Sequence, residues 1–434
     1  MIVRAFSPPP SVAAAVRAVA PRRLPCALRV AGAVPAGRLL LACDPVRVER
    51  GVRVEALAAA WAEERAGWNV ADVPGIPVAV GYLSYELGRH FERIRGRELP
   101  ASPWPLCEFR FYDAFLALAP GAATAEIWAR DEAAAKRLAA ALPAGGAWDE
   151  AQPARAGQPL EELEPAAAHT GAVARALEYI RAGDIYQVNL ARRLGCVAGE
   201  DGGLAPGAAL WLRLERDAPA AHAFWMADGE SGTALVGNSP ERFLRRLVDG
   251  TVEACPIKGT RPRDLVAGAG GEALLLASAK DRAEHVMIVD LERNDLGRVC
   301  RTGTVEVAEL CRVLALPTVL HLESTVRGRL RPEVGLPELL RATFPGGSIT
   351  GAPKLRAMEI IEELEPARRG PYTGATGWLG AAGDLDLAVA IRTALIRDGR
   401  LTLWVGGGVV ADSTPAGELA ETWDKARAFS RALA

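Results

Sequence analysis

The chain has 434 residues, half of them hydrophobic, with 51 basic against 53 acidic side chains and a formal net charge of −2 at pH 7. That length fits two domains or one large composite domain, and near-balanced charge without a basic stripe among aromatics argues against nucleic acid as a partner. No apolar run approaches the roughly 18 residues of a membrane helix, and seven scattered cysteines with no Cys-x-x-Cys pair argue against a disulfide framework or a zinc site and for small buried hydrophobes. The segment Met1 to Pro10 has no apolar signal core, so a cytoplasmic location away from membranes is expected.

In chain order, the apolar runs Leu39 to Leu41, Val78 to Leu83 and Phe109 to Leu118 predict strands, with a helix near Arg53 to Glu64. A strand over Ala125 to Arg130 and an Ala-rich helix over Asp131 to Leu142 follow. Pro143 to Pro165, rich in Pro, Gly and Ala, reads as a linker or a long surface connection. Beyond it, helical spacing of apolar residues marks Ala168 to Ala182, Ser278 to Leu296, Leu355 to Leu364 and Glu418 to Leu433. Alternating or β-branched runs at Tyr186 to Leu194, Thr251 to Ile257, Val319 to Leu330 and Leu401 to Val410 predict strands. Strand groups and helices that do not alternate strictly point to an α+β fold, divided into residues 1–150 and 166–430.

Only five of the 51 basic residues are lysines, and four of them, Lys258, Lys280, Lys354 and Lys425, fall in Gly- and acid-rich segments of the C-terminal half. A lysine kept where arginine is the rule points to a need for an amine, which can lose its proton when buried and act as a nucleophile or base. Lys258, in Pro256-Ile257-Lys258-Gly259-Thr260, is the candidate; ordinary salt bridging is the plain alternative for any one of the four. Asp281 and Glu284 are three apart on one predicted helix, and Glu418 and Glu421 repeat that spacing on another, with Lys425 one turn later. Two such helices facing across a cleft would hold a hard divalent cation such as Mg²⁺. On spacing alone, a solvated helix face with a Glu421–Lys425 pair stays open.

Other segments add binding capacity. Gly346 to Lys354 precedes a helix start and offers backbone N–H groups to a carboxylate or phosphate, but it lacks the lysine directly after the second glycine that a Walker A loop requires. Gly406-Gly407-Gly408 ends a strand and would let a ligand approach the backbone. Arg392, among apolar neighbours, needs an anionic partner when buried. Glu241 is a candidate general acid if desolvated, or else the salt-bridge partner of Arg242 beside it. His321, in a strand, is either a satisfied core histidine or a catalyst.

Together these segments resemble the chorismate-utilising enzymes, which comprise anthranilate synthase large subunits and aminodeoxychorismate, isochorismate and salicylate synthases. The resemblance is carried in order by Gly183 to Leu190, Ser239 to Phe243, Pro256 to Thr260, Lys280 to His285 with Asp290 to Asp295, Gly346 to Met358, Pro371 to Gly374 and Gly406 to Lys425, with a weaker match at Gly81 to Arg89. It implies a large α/β/β/α sandwich in which N-terminal strands join the same core, and a chorismate-binding catalytic domain over 166–430. Lysine at position 258, where anthranilate synthases usually have alanine, and Gln187 point to the aminodeoxychorismate branch.

The resemblance further implies Mg²⁺ held by Glu284, Glu418, Glu421 and Asp281, and catalysis by Lys258 and Glu241, with His321 matching a family histidine. The substrate site would include Gln187, Gly259, Thr260, Thr350, Tyr372, Arg392, Gly407, Gly408 and Lys425. With no Gly-x-Cys-x-Gly nucleophile turn in the chain, ammonia is expected from a separate glutamine amidotransferase subunit, and pyruvate release toward 4-aminobenzoate from another enzyme. The alternatives are an anthranilate synthase with an unusual lysine, a non-catalytic ligand-binding subunit, and a nucleotide-binding protein built on the Gly-rich loops. Related enzymes often bind tryptophan beside a Leu-Leu-x-Ser segment; Leu39-Leu40-Leu41-Ala42-Cys43 departs from it and leaves that question open.

Overall fold

Leu39, Leu40 and Leu41 are all buried because their strand, Arg38–Ala42, is covered on both faces. Leu39 and Leu41 belong to the core that also holds Val16, Trp211, Trp225 and Phe429, whereas Leu40 and Ala42 belong to the core that holds Tyr82, Phe109 and Met226. Successive strand side chains point to opposite faces, so one strand feeds two layers and reads as an unbroken apolar run.

In this computed structural model residues 1–6, 9–30, 37–70, 73–119, 124–142, 159–199, 204–262, 270–315 and 319–434 are described. Among them, twelve strands form one sheet and ten the other. In the first sheet the N-terminal strands end at Cys26–Val30, which pairs antiparallel with His222–Asp228; Thr233–Ser239, Thr393–Arg397, Arg400–Val409 and Gln187–Val197 continue it. In the second, Arg47–Gly51, Cys107–Phe111 and Pro77–Leu83 join Ala375–Gly380, and the path runs on through Leu385–Val389, Arg242–Arg246, Thr251–Cys255 and Val319–Arg329 to Ile257–Pro262. Helices Ala166–Ala182, Ala208–Asp217 and Pro415–Leu433 pack on the first sheet, and Val54–Ala66 and Ala279–Gly297 on the second. N-terminal strands thus lengthen both sheets of the expected sandwich. Residues 143–158 of the segment read as a linker lie outside the described residues; just after them Glu161–Glu162 pairs with Gln187–Val197.

Two predicted strands are divided. Phe109 to Leu118 is split between Cys107–Phe111 in the second sheet and Ala114–Leu118 in the first. Thr251 to Ile257 breaks at Pro256, which has no N–H to give a ladder, and Ile257–Pro262 begins a new strand that carries Lys258. The helix starts are sealed by side chains: Ser278 accepts from Asp281 N–H, and Thr414 from Gly417 N–H with proline at the next position. Six of the seven cysteines are buried free thiols, and Cys311 is partly exposed. No helix among the described residues is long and apolar enough to cross a membrane.

A buried arginine ties the core to the cleft. Arg369 pairs with Glu365 through Nε at 2.8 Å and Nη2 at 2.6 Å, and donates to the carbonyls of Asn189 (2.7 Å) and Ile349 (3.1 Å) and to the Thr373 hydroxyl (3.1 Å). Glu365 accepts the Ala191 N–H at 2.9 Å. One ion pair therefore fixes strand Gln187–Val197 against two loops of the site. Removing one partner of a buried pair leaves the other charge uncompensated, so Arg369→Ala should lower the unfolding free energy by about 3–5 kcal/mol, read by urea denaturation.

Candidate active site

Most of the residues singled out in the sequence meet where the C-terminal end of Arg400–Val409 approaches Ile257–Pro262. A Cβ added to Gly408 would stand 2.8 Å from Lys258 Nζ and 3.3 Å from the Gln187 amide; one added to Gly407 would stand 2.6 Å from Glu418 Oε2 and 3.4 Å from Glu421 Oε1. Side chains at either position would fill the space into which an amine, an amide and two carboxylates converge. Gly408 and Gly407 face Asn189 and Leu190 across the ladder, which sets this end of the strand next to Gln187.

Lys258 is half-buried as a residue, but its amine end is enclosed. Desolvation pushes its pKa below the ordinary lysine value and Lys425 adds to this, while Glu284, Glu241 and Glu421 act the other way. No hydrogen bond or ion pair among the described residues holds the Lys258 amine. Gln187 is fully buried, and both its amide oxygen and its nitrogen lack a partner among the described residues. An unmet buried polar group costs about 1–3 kcal/mol, a cost that a bound polar ligand would remove.

Glu241 follows the end of Thr233–Ser239 and is 4 % exposed. Burial pushes its pKa up to about 7, against the pull of the Ser348 hydroxyl, Lys258, the Ile257 amide and Arg392. The neighbouring Arg242 pairs with Asp386 at 2.9 Å, which leaves Glu241 out of the salt bridge that its sequence offered. Arg392, at φ +49, has its pKa lowered by burial, with Glu241 opposing. The carboxylate expected opposite it is not at ion-pair distance among the described residues; its Nη2 instead faces His321 Nε2 at 3.5 Å.

His321 Nδ1 lies 3.3 Å from the Gly259 carbonyl, and the ring's pKa is held down to about 4 by burial first and by Arg392 next. The ring is therefore neutral, with Nδ1 donating to the carbonyl and Nε2 turned to Arg392. Tyr372 stacks on Trp404 with centroids 5.6 Å apart, and burial keeps its phenol protonated.

The acidic residues come from two helices. On Pro415–Leu433, Glu418 accepts from the Ser413 hydroxyl at 2.6 Å, and Lys425 pairs with Glu421 at 2.7 Å while donating to the Gly406 carbonyl at 2.6 Å. On Ala279–Gly297, the Asp281 side chain lies 3.4 Å from a Cβ built on Gly259, and Glu284 is near enough to act on Lys258. Among the described residues no three of these side chains stand together as a ready-made metal cage. The donor set still suits a hard cation, because burial and the Glu421 charge both push Glu418 up, and a positive ion would relieve both.

One expectation changes. The Gly346 to Lys354 segment, read as a cradle for a ligand anion, is occupied in part from within: Glu292 accepts the Gly347 N–H at 2.9 Å, and Lys354 pairs with Asp295. Thr350 donates its hydroxyl to the Gly346 carbonyl at 2.9 Å. The Thr260 side chain lies outside the described residues. Sequence reasoning passed over Ser348, Asn189 and Glu292. Only their place beside Gly347, Leu190 and Asp295 in motifs already quoted pointed to them.

Known proteins resemble this chain along most of its length. The family described as chorismate binding enzyme matches residues 39–431. Anthranilate synthase component 1 of Streptomyces coelicolor is 41% identical over 400 residues, covering 84% of this chain and 75% of that protein. Aminodeoxychorismate synthase component 1 of Klebsiella aerogenes is 39% identical over 365 residues, covering 81% and 76%. Among solved structures, anthranilate synthase component I of Streptococcus pneumoniae superposes with a TM-score of 0.75 at 27% identity, covering 93% and 94%. The menaquinone-specific isochorismate synthase MenF of Escherichia coli has the same TM-score at 18% identity over 100% and 95%, a likeness of fold.

Proposed function

Since this chain belongs to the chorismate-binding enzymes, we propose that it is the first component of an aminodeoxychorismate synthase, replacing the C4 hydroxyl of chorismate with an amino group. The observation that carries this reading is the enclosed Lys258 amine, unpaired among the described residues and held below its ordinary pKa between Gln187 and the Gly407–Gly408 backbone. In the proposed sequence neutral Lys258 adds to C2 while the ring double bonds shift and the C4 oxygen leaves, protonated by Glu241. Ammonia then adds at C4, the double bonds shift back, and Lys258 departs as the amine. One ammonia enters and one water leaves, and splitting the exchange in two is the usual logic of covalent catalysis.

Arg392 and Tyr372, with the Gly407 and Gly408 amides, would hold the enolpyruvyl carboxylate, and an arginine that has no carboxylate partner among the described residues supports that assignment. Glu284, Glu418, Glu421 and Asp281 would hold Mg²⁺, which when bound supplies positive charge to the ring carboxylate. Glu284→Gln is expected to raise the Mg²⁺ needed for half-maximal turnover by at least about 10-fold, the lower end of what even outer-shell losses cost. Mg²⁺-dependent thermal stabilisation of the substrate-free protein should weaken in parallel.

Relatives named "component 1" imply a second component, and ammonia delivered by a glutamine amidotransferase fits a chain expected to use free ammonium salts when alone. The reading is tested by incubating the protein with chorismate, Mg²⁺ and ammonium and identifying the product by mass. The 41% identity to an anthranilate synthase component favours a second reading, and fluorescent anthranilate as the main product would establish it instead.

A further inference from the structure

A second buried carboxylate, Glu292, lies beneath the turn that faces Glu241. It is 4 % exposed, projects from Ala279–Gly297 and accepts the Gly347 N–H at 2.9 Å. Gly347–Ile349 is a single 3-10 turn, closed by Thr350 donating to the Gly346 carbonyl, and its Ser348 hydroxyl acts on the Glu241 carboxylate. A Cβ on Gly347 would come within 2.6 Å of Leu291 and 3.1 Å of Glu292 Oε1, so the turn rests directly on the helix. One helical turn further, Asp295 pairs with Lys354, whose ammonium also donates to the Thr343 carbonyl at 3.3 Å.

The groups facing Glu292 are therefore Asp295 on its own helix, Lys354 on Lys354–Leu364, the Gly347 amide and Glu241. Two carboxylates share one ammonium and one backbone N–H in a buried space. Burial, then Asp295, push Glu292 up to about 7, with Glu241 adding to the rise and Lys354 and Gly347 opposing it.

We infer that Glu292 is a positioning residue for the acid: by holding the Gly347 N–H it sets where Ser348 stands against Glu241, and its charge governs how firmly Glu241 keeps its proton. This rests on the reading of Glu241 as the group that protonates the departing C4 oxygen. The motif Asp290 to Asp295 thereby acquires a task in the reaction without touching substrate.

The test compares wild type, Glu292→Gln, Ser348→Ala and the double variant, following chorismate consumption with ammonium across the neutral range. Loss of the Glu292 charge makes the Glu241 proton easier to lose, so the alkaline limb of kcat should move to lower pH by about 0.5–1 unit, with an unchanged KM for chorismate. Ser348→Ala removes support for the charged form and should move the limb the other way. The Glu292→Gln displacement toward lower pH should grow when Ser348 is absent, because the hydroxyl that Glu292 positions against Glu241 then no longer offsets the lost charge.

A Glu292→Gln profile that overlays wild type, a raised KM with an unmoved limb, or an equal displacement in the Ser348→Ala background would each overturn the inference. Infrared titration of the carboxyl band that disappears in Glu241→Gln reads the same proton without turnover. It decides the matter in the substrate-free protein even where a variant is inactive. Anthranilate as product would overturn amination at C4 but leave this comparison intact, because consumption of chorismate is what is measured.

Discussion

Lys258→Ala is expected to abolish 4-amination, lowering turnover of chorismate with ammonium on the order of 10³-fold or more, as loss of a nucleophile does when the remaining groups act only in concert with it. The fold should survive. Lys258 makes no ion pair among the described residues, and shortening it removes a desolvated amine instead of breaking a network. Thermal unfolding and circular dichroism would establish that the variant is folded, and mass spectrometry of the wild type quenched with chorismate, without ammonium, should find an adduct on the peptide containing Lys258. Turnover at the wild-type rate in the alanine variant would remove the covalent step.

Glu241→Gln is the second large effect, with a loss of about 10²–10⁴-fold, the usual contribution of a positioned acid. Its direction with pH follows from the raised value of about 7. Glu241 donates only while protonated, so the rate should fall as pH rises through about 7, whereas Lys258 attacks only as neutral amine and gains as pH rises. A bell results, and glutamine at 241 should erase its alkaline limb. The same shift acts on stability. Because the folded value exceeds the ordinary carboxylate value of 4.5, the stability owed to this group is complete below 4.5 and lost as pH climbs through about 7. Glutamine cannot ionise, so above neutrality the variant should be the more stable protein, by up to about 3 kcal/mol. Urea titrations on both sides of neutrality measure it, and equal pH dependence of the two proteins would contradict a buried, raised Glu241.

Much of the architecture was legible in the residues. The helices predicted at Ala168 to Ala182, Ser278 to Leu296, Leu355 to Leu364 and Glu418 to Leu433 match Ala166–Ala182, Ala279–Gly297, Lys354–Leu364 and Pro415–Leu433 within a turn. Helical periodicity and capping groups such as Ser278 are local signals. Strands fared worse where both faces are buried. His222–Asp228 carries Phe224 and Met226 into one core and Trp225 into the other, so it has no alternation to read. Phe109 to Leu118 likewise hides the point at which the chain leaves one sheet for the other.

The site divides in the same way. Lys258 stands out as a residue type against the chain's arginine bias, whereas the acidic pairs were marked only by their spacing. That Gly408 leaves room for Lys258, or that Glu292 fills the Gly347 amide, depends on pairings between segments far apart in sequence. Arg392 shows both limits: its burial was legible in its apolar neighbours, but the histidine that its guanidinium faces was not.

The division of the early strands between two sheets has a consequence for biosynthesis. Cys26–Val30 pairs with His222–Asp228, and Pro77–Leu83 with Ala375–Gly380, so the first waits, half-paired, for nearly half of the remaining polypeptide and the second for most of it. Long-range pairing of this kind slows folding and leaves strand edges open to wrong partners. Nascent chains stalled before residue 375 should therefore be captured by ribosome-associated chaperones, and release of the completed chain should end that capture abruptly.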